Sequence, residues 1–292
     1  MTRILLFMAT NAAILLVITV LFRLLGLESM LYQNGVDLNL PGLLMMSAVI
    51  GMTGSIISLF MSKTMAKRSM GVQIIDQPSN STERWLLDVV ARQAQKAGIG
   101  MPEVGIFNTP EPNAFATGAS KNNALVAVSA GLLKTMSQDE VEAVVGHEIS
   151  HVANGDMVTL TLIQGIVNTF VYFLASIIGH IVDRAVFRSE NGRGMGYFMT
   201  QMVAQIALSF LASMIVMWFS RWREFHADKG GANLAGREKM ISALRALQGS
   251  STETIPAEFQ AFAISAGGGL SKLFSSHPPL EERIRALENL RD

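Results

Sequence analysis

The chain has no cysteine. Disulfide staples, thiol nucleophiles, iron–sulfur clusters and cysteine-ligated zinc are therefore excluded together, and any metal has to be held by histidine, aspartate or glutamate. Charge is scarce as well: 16% of the 292 residues are Asp, Glu, Lys or Arg, and 23 basic side chains balance 23 acidic ones. That balance gives no electrostatic reason to expect nucleic acid or a strongly anionic substrate as a partner. Histidine is rarer still, with five in the chain, His147, His151, His180, His226 and His277. No internal repeat or low-complexity tract is present. What the chain does have is apolar surface. Half of its residues are hydrophobic, 18 are Met and the mean hydropathy is +0.35, too apolar for an ordinary soluble domain of this length.

The apolar residues fall into four runs, each close to the ~20 residues that cross a bilayer core. The first, residues 4–22, is longer than the apolar part of a signal peptide and no small-x-small cleavage site follows it, so it is expected to be a retained anchor. The second, residues 38–61, carries Ser47, Gly51 and Ser55 at four-residue spacing, the pattern that lets membrane helices approach closely, and is expected to pack on the first. The loop between them has Glu28 and Asp37 but no Lys or Arg, whereas Lys63, Lys67 and Arg68 follow the second run directly. By the positive-inside rule the loop is external and the chain beyond Met61 is cytoplasmic, with Arg23 counting mildly the other way. Residues 158–182 and 197–219 form a second hydrophobic hairpin, joined by a turn that holds Arg184, Arg188 and Arg193. Inside this hairpin Gln164, Asn168, Gln201 and Gln205 are candidates for hydrogen bonds between helices, and His180 for a structural role at the interface.

Between the hairpins the composition is that of a soluble domain. Trp85, Leu86, Val89 and Val90 recur with helical period after a Ser/Thr start signal. The short runs EVGIFN, NAFATG and ALVAVS, separated by turn residues, predict a small sheet of two to four strands. Ser137, with Glu140 three residues on, is a capping-box start for the next helix, which carries VVGHEISHVANGD.

On that helix His147 and His151 share one face, so both imidazoles can point at one ion. Zinc suits such neutral nitrogens, and a catalytic zinc takes three protein ligands and keeps a position open for water. Glu148 lies beside them as a base toward that water, the HExxH arrangement of metalloproteases. The alternative is a solvated polar helix face, disfavoured directly before a membrane span. The third ligand follows from the hairpin: if residues 158–182 leave the cytoplasm and 197–219 return, Glu224 is carried back to within about 7–8 Å of the hairpin's base, as His151 is. Asp228, one turn further, is suited to accept the outer N–H of a ligand histidine. His226 is the rival third ligand on the opposite helix face. His277 either donates to the developing oxyanion or caps the helix beginning at Pro278.

HEISH followed far downstream by EFHAD resembles the gluzincin metallopeptidases, with NAFATG placed like their substrate-binding edge strand. From end to end, with SHPP near its close, the chain resembles the HtpX family of bacterial inner-membrane zinc proteases, relatives of the eukaryotic CAAX prenyl endopeptidases. The resemblance implies an α+β membrane protein, mostly helical, with four spans and a small β-sheet in a gluzincin-like peptidase domain. It implies one zinc ion held by His147, His151 and Glu224, Glu148 as catalytic base, and a cytoplasmic active site. It also implies polypeptide substrates, misfolded membrane proteins above all, and induction by heat or envelope stress. Asn113, Ala114 and Phe115 are the candidates for the edge along which an extended peptide pairs, the alternative being an ordinary strand start. The expected organisation is an N-terminal hairpin (1–61), the first part of the peptidase domain (62–156), a second hairpin (157–219) and the rest of the peptidase domain (220–292). Site-specific processing of membrane or lipidated proteins, and a non-catalytic membrane scaffold with a structural metal, are the competing functions.

Overall fold

The computed structural model describes residues 38–189, 194–250 and 277–290, together with positions 20, 24, 26, 29 and 32. The predicted first span and its packing on the second therefore lie outside the described residues, position 20 apart. The elements in order are α1 (Leu40–Ser69), β1 (Gln73–Ile74), α2 (Ser81–Ala97), β2 (Glu103–Phe107), β3 (Ala114–Ser120), β4 (Asn123–Ser129), α3 (Ala130–Thr135), α4 (Gln138–Asn154), α5 (Asp156–Ala185), α6 (Met195–Ala235), α7 (Arg237–Ser250) and α8 (Leu280–Glu288). The chain divides into two compact units, Met1–Ile56 with Leu162–Ser213, and Ile57–Thr161 with Met214–Asp292.

The first unit is built from apolar helix. Among the described residues three helices, α1, α5 and α6, are long and apolar enough to cross a membrane. The stripe of small residues on α1 packs against α5: a Cβ on Gly51 would lie 2.6 Å from the Thr169 amide nitrogen, and one on Gly165 would lie 2.6 Å from Met52 Sδ. Such an approach leaves no room for a side chain, which is why glycine stands at both positions. Polar groups are absorbed locally, as they have to be where water is absent. Asn168 Nδ2 donates to Ser55 Oγ on α1 (3.4 Å) and Gln201 Nε2 to Ser176 Oγ across the hairpin (3.0 Å). Gln164 does not bridge helices as expected; it donates to Asn168 one turn along α5, and Gln205 is exposed. His180 meets Tyr197 edge-on with ring centroids 4.4 Å apart and bonds the Ser176 carbonyl, the structural role anticipated. Asp183, fully buried, accepts from the Gly194 and Tyr197 amides and so caps the start of α6.

The second unit holds a four-stranded sheet of order β1-β2-β4-β3, in which β2 and β4 run parallel and the other pairs are antiparallel. β4 is central and buried from Ala124 to Ser129, while among the described residues β3 is an edge strand, paired with β4. Helix α2 begins at an Asn80 cap and ends at a left-handed Gly98, and its buried Leu86, Val89 and Val90 meet α4 and the sheet. The core also takes Val126, Val128, Leu132, Val145, Ile149, Met240 and Leu244. Strand β1 is two residues long, too short for alternation to reveal it in the sequence.

Helix α6 decides where the site lies. Its 41 residues rise about 61 Å, twice the ~30 Å of a bilayer core, so one unbroken helix has length for a span over residues 197–219 and for the polar stretch that follows.

Candidate metal centre

The helix α4 starts as its sequence requires: Ser137 Oγ accepts from the Glu140 amide while the Glu140 carboxylate accepts from the Ser137 amide. Val141, Val145, Ile149 and Val152 turn one side of it into the core, and the adjacent side presents His147 and His151. It ends at Gly155, whose φ of 69° is the left-handed conformation glycine adopts without penalty, and α5 sets off at Asp156. The polar end of α6 comes close alongside. A Cβ on Gly230 would collide with Ser150 Oγ, and one on Gly231 would stand 3.0 Å from the His147 amide nitrogen. That closeness lets Glu224 and Asp228, each 1% exposed, reach the two rings.

The rings meet edge to face with centroids 4.7 Å apart. Their Nε2 atoms are 3.1 Å from each other, and Glu224 places one carboxylate oxygen 3.5 Å from His147 Nε2 and the other 3.3 Å from His151 Nε2. Ligands 2.0–2.1 Å from a tetrahedral ion stand roughly 3.3 Å apart, so the three spacings fit one small cation. The outer nitrogens agree. His147 Nδ1 lies 2.9 Å from Asp228 Oδ1 and His151 Nδ1 lies 2.6 Å from Asp156 Oδ2. Each Nδ1 carries the proton it donates to its carboxylate, which leaves both Nε2 lone pairs aimed at the same point, where only a proton or a cation satisfies them.

Charge points the same way. Three buried carboxylates, Glu224, Asp228 and Asp156, gather around the imidazoles, with the guanidiniums of Arg283 and Arg223 against them. Arg283 forks onto Asp228, Nε to Oδ2 at 2.8 Å and Nη2 to Oδ1 at 2.6 Å, and sets Nη1 3.3 Å from Glu224 Oε2. His277 Nδ1 lies 2.7 Å from the same Glu224 oxygen. Burial opposes charge on His147, yet Asp228 and Glu224 outweigh it and push its pKa up to about 10. Glu224, beyond the apolar stretch of α6, is held well below the usual carboxylate range; burial works to raise it, but the imidazoles of His147, His151 and His277 prevail. The pocket is built to hold positive charge between the two rings.

A cavity of about 420 Å³ opens beside this cluster. His147, Glu148 and His277 line one part of it, Asn113 and Ala114 at the start of β3 another, and Met240 and Leu244 of α7 an apolar wall.

The sequence model of peptidase family M48 matches residues 80–291. The chain is 62% identical to the Protease HtpX of Thioalkalivibrio sulfidiphilus (strain HL-EbGR7) over 291 residues, 99% of each chain. It is also 62% identical to the Protease HtpX of Pseudoalteromonas atlantica (strain T6c / ATCC BAA-1087) over 289 residues, again 99% of each. The chain belongs to peptidase family M48. As a member of that family with apolar helices long enough to span, it is a membrane metallopeptidase. The crystal structure of S. mikatae Ste24p has the same fold, with a TM-score of 0.62 at 18% identity, covering 93% of this chain and 66% of that longer one.

Within this M48 peptidase the remaining candidate residues separate clearly. His226 is on the far side of α6, exposed, its ring 4.1 Å from that of Trp222 and its Nδ1 on the Trp222 carbonyl, so it does not join the cluster. His277 is not a cap: α8 begins after Pro279 with no side-chain cap, and the imidazole bonds Glu224 instead. Phe115 turns away from the cavity, its ring 5.5 Å from that of Phe107, because neighbouring residues of a strand face opposite ways. Two residues escape the sequence reading. Asp156 sits just past the HExxH helix, where the turn at Gly155 swings it back onto His151. Arg283 shares the buried face of α8 with Ile284 and Leu287, and an arginine at a core position of an amphipathic helix was the signal available.

Proposed function

We propose that this M48 peptidase holds one zinc ion per chain between His147, His151 and Glu224. We propose further that it hydrolyses peptide bonds of misfolded or damaged membrane proteins at the cytoplasmic face of the bacterial inner membrane. The observation that carries this reading is the convergence of two Nε2 atoms and one carboxylate on a single point, with both Nδ1 atoms already committed to Asp228 and Asp156.

Zinc bound there supplies a Lewis acid for the peptide carbonyl and acidity for a water molecule. Glu148, which lines the cavity next to His147, takes the water's proton and returns it to the departing amine. The edge of β3, open among the described residues and entered through Asn113, Ala114 and Phe115, pairs with the main chain of an extended substrate and asks little of its side chains, as degradation of varied proteins requires. Asp228 and Asp156 hold the imidazoles in the working tautomer, and Arg283 and His277 hold Glu224. The peptidase domain is assembled from residues 62–156 and 220–292, on either side of the hairpin 157–219. Lys63, Lys67 and Arg68, directly after the apolar part of α1, support a cytoplasmic setting.

Glu148→Gln tests the reading. The variant keeps one zinc per chain by elemental analysis and loses about 10²–10⁴-fold in hydrolysis of casein or of a destabilised membrane protein, the contribution of a general base. Undiminished hydrolysis would remove the mechanism, and cleavage at one bond in place of many would replace degradation with site-specific processing.

A further inference from the structure

We propose that α6 carries an aromatic anchor, Trp218 and Trp222, that seats in the lipid headgroup layer and fixes the height of the metal centre just outside it, so that the bonds cut are those emerging from the bilayer surface. The inference rests on the membrane-protease reading above and adds to it a substrate class: segments adjoining a membrane span.

The composition of α6 changes abruptly. Residues 197–219 contain no Asp, Glu, Lys or Arg, and the ten residues from Ser220 to Lys229 contain Arg221, Arg223, Glu224, His226, Asp228 and Lys229. Two of the three tryptophans of the protein, Trp218 and Trp222, straddle that border. Both are open, 63% and 50% exposed, and with Ile215 at 58% they make a stripe with helical spacing on the face away from Glu224. Trp85, the third, packs instead against the core. An exposed indole is costly in water and out of place in pure hydrocarbon, because its ring is apolar and its N–H needs a partner; the headgroup layer satisfies both. Phe219 and His226 extend the aromatic surface, their rings 5.7 and 4.1 Å from that of Trp222. What covers this face follows from continuity: the same helix, one turn earlier, is the apolar stretch that spans.

The anchor sets a distance. Glu224 lies two residues past Trp222 and five past Phe219, a rise of about 3 Å and about 7.5 Å along the helix axis. The headgroup region adds only about 5–7 Å to each side of the hydrocarbon core. With both indoles in that layer, the Glu224 carboxylate and the rings bonded to it stand at its outer rim, two or three extended residues from the end of a substrate's span.

The first test needs no catalysis. In Glu148→Gln protein that also carries Trp85→Phe, either Trp218 or Trp222 is kept as the single tryptophan, the other becoming Phe. The protein is reconstituted in phosphatidylethanolamine/phosphatidylglycerol vesicles with nitroxide labels at the headgroup, at acyl carbon 5 or at acyl carbon 12. Strongest quenching by the headgroup and carbon-5 labels is expected. Strongest quenching at carbon 12, quenching only by dissolved iodide, or no quenching at all overturns the anchor; the last outcome is that of a protein partner on this face. The second test uses Trp218→Ala/Trp222→Ala in the active protein. Hydrolysis of a soluble peptide stays at the wild-type rate, while cleavage of a single-span substrate in the same vesicles falls about tenfold and its cut sites spread away from the span. Equal loss on both substrates, or loss on neither, refutes the ruler. An inactive wild-type protein whose indoles are still quenched at the headgroup would count against the protease reading alone.

Discussion

Replacing Arg283 by methionine removes the guanidinium that forks onto Asp228 at 2.6 and 2.8 Å and stands 3.3 Å from Glu224. All three side chains are buried, so the loss leaves Asp228, among the described residues, with only His147 as a charged partner; removing one member of a buried ion pair costs about 3–5 kcal/mol in folded proteins. Two effects on metal binding then compete. Deleting a positive charge near the site favours a cation by simple Coulomb attraction. Asp228 answers it. Burial raises its pKa while the Arg283 fork and His147 lower it, so losing the fork shifts Asp228 upward and also frees the carboxylate that the fork fixes against His147 Nδ1. A carboxylate no longer fixed by the fork orients the His147 ring less well, which opposes the Coulomb gain. A disturbed partner at a position that orients a ligand is worth about 10–100-fold in metal affinity, the larger of the two effects. Chelator competition should therefore show affinity at pH 7 down by that factor, while Arg283→Lys, which keeps the charge without the fork, falls between. Unchanged or tighter binding by Arg283→Met at pH 7 would refute the argument, because it would mean that the Coulomb effect outweighs the loss of orientation.

Further outcomes follow from the same geometry. Metal-free His147 has its pKa raised to about 10, above the ~6.5 of an unfolded chain, so its contribution to stability is fully present below about 6.5 and disappears as pH rises through about 10. The chelated protein should melt progressively lower between pH 7 and 10, and loading the cation at pH 7 should release at least one proton per chain, measured by calorimetry in two buffers of different ionisation enthalpy; no proton release would show that the rings were already neutral. Gly230→Ala drives a methyl group into Ser150 Oγ and should lower both thermal stability and metal affinity by pushing α6 from α4. Adding Ser150→Gly restores affinity, less about 1 kcal/mol of stability for a glycine inside a helix; if the double variant binds no better than the single one, the close approach is not what positions Glu224.

Much of this protein was legible because the rules involved are local. A capping box at Ser137 and Glu140 starts a helix wherever it occurs, and two histidines four apart on that helix share a face regardless of what lies around them. Even Glu224, 77 residues beyond His147, was within reach of argument, since two spans of fixed length must return the chain to the side it left. The edge position of NAFATG and the way α6 runs unbroken from span to site depended on how strands and helices actually assemble. The second layer around the metal is further still from view. Arg283, 136 residues from His147, and His277 reach Glu224 and Asp228 only because α8 packs against the second unit's core through Ile284 and Leu287, and Asp156 reaches His151 only through the bend at Gly155. Sequence spacing determines which atoms one helix can offer to an ion; which charges surround them is decided by packing between elements distant in the chain, because an ion pair depends on ångströms of separation that no local pattern encodes.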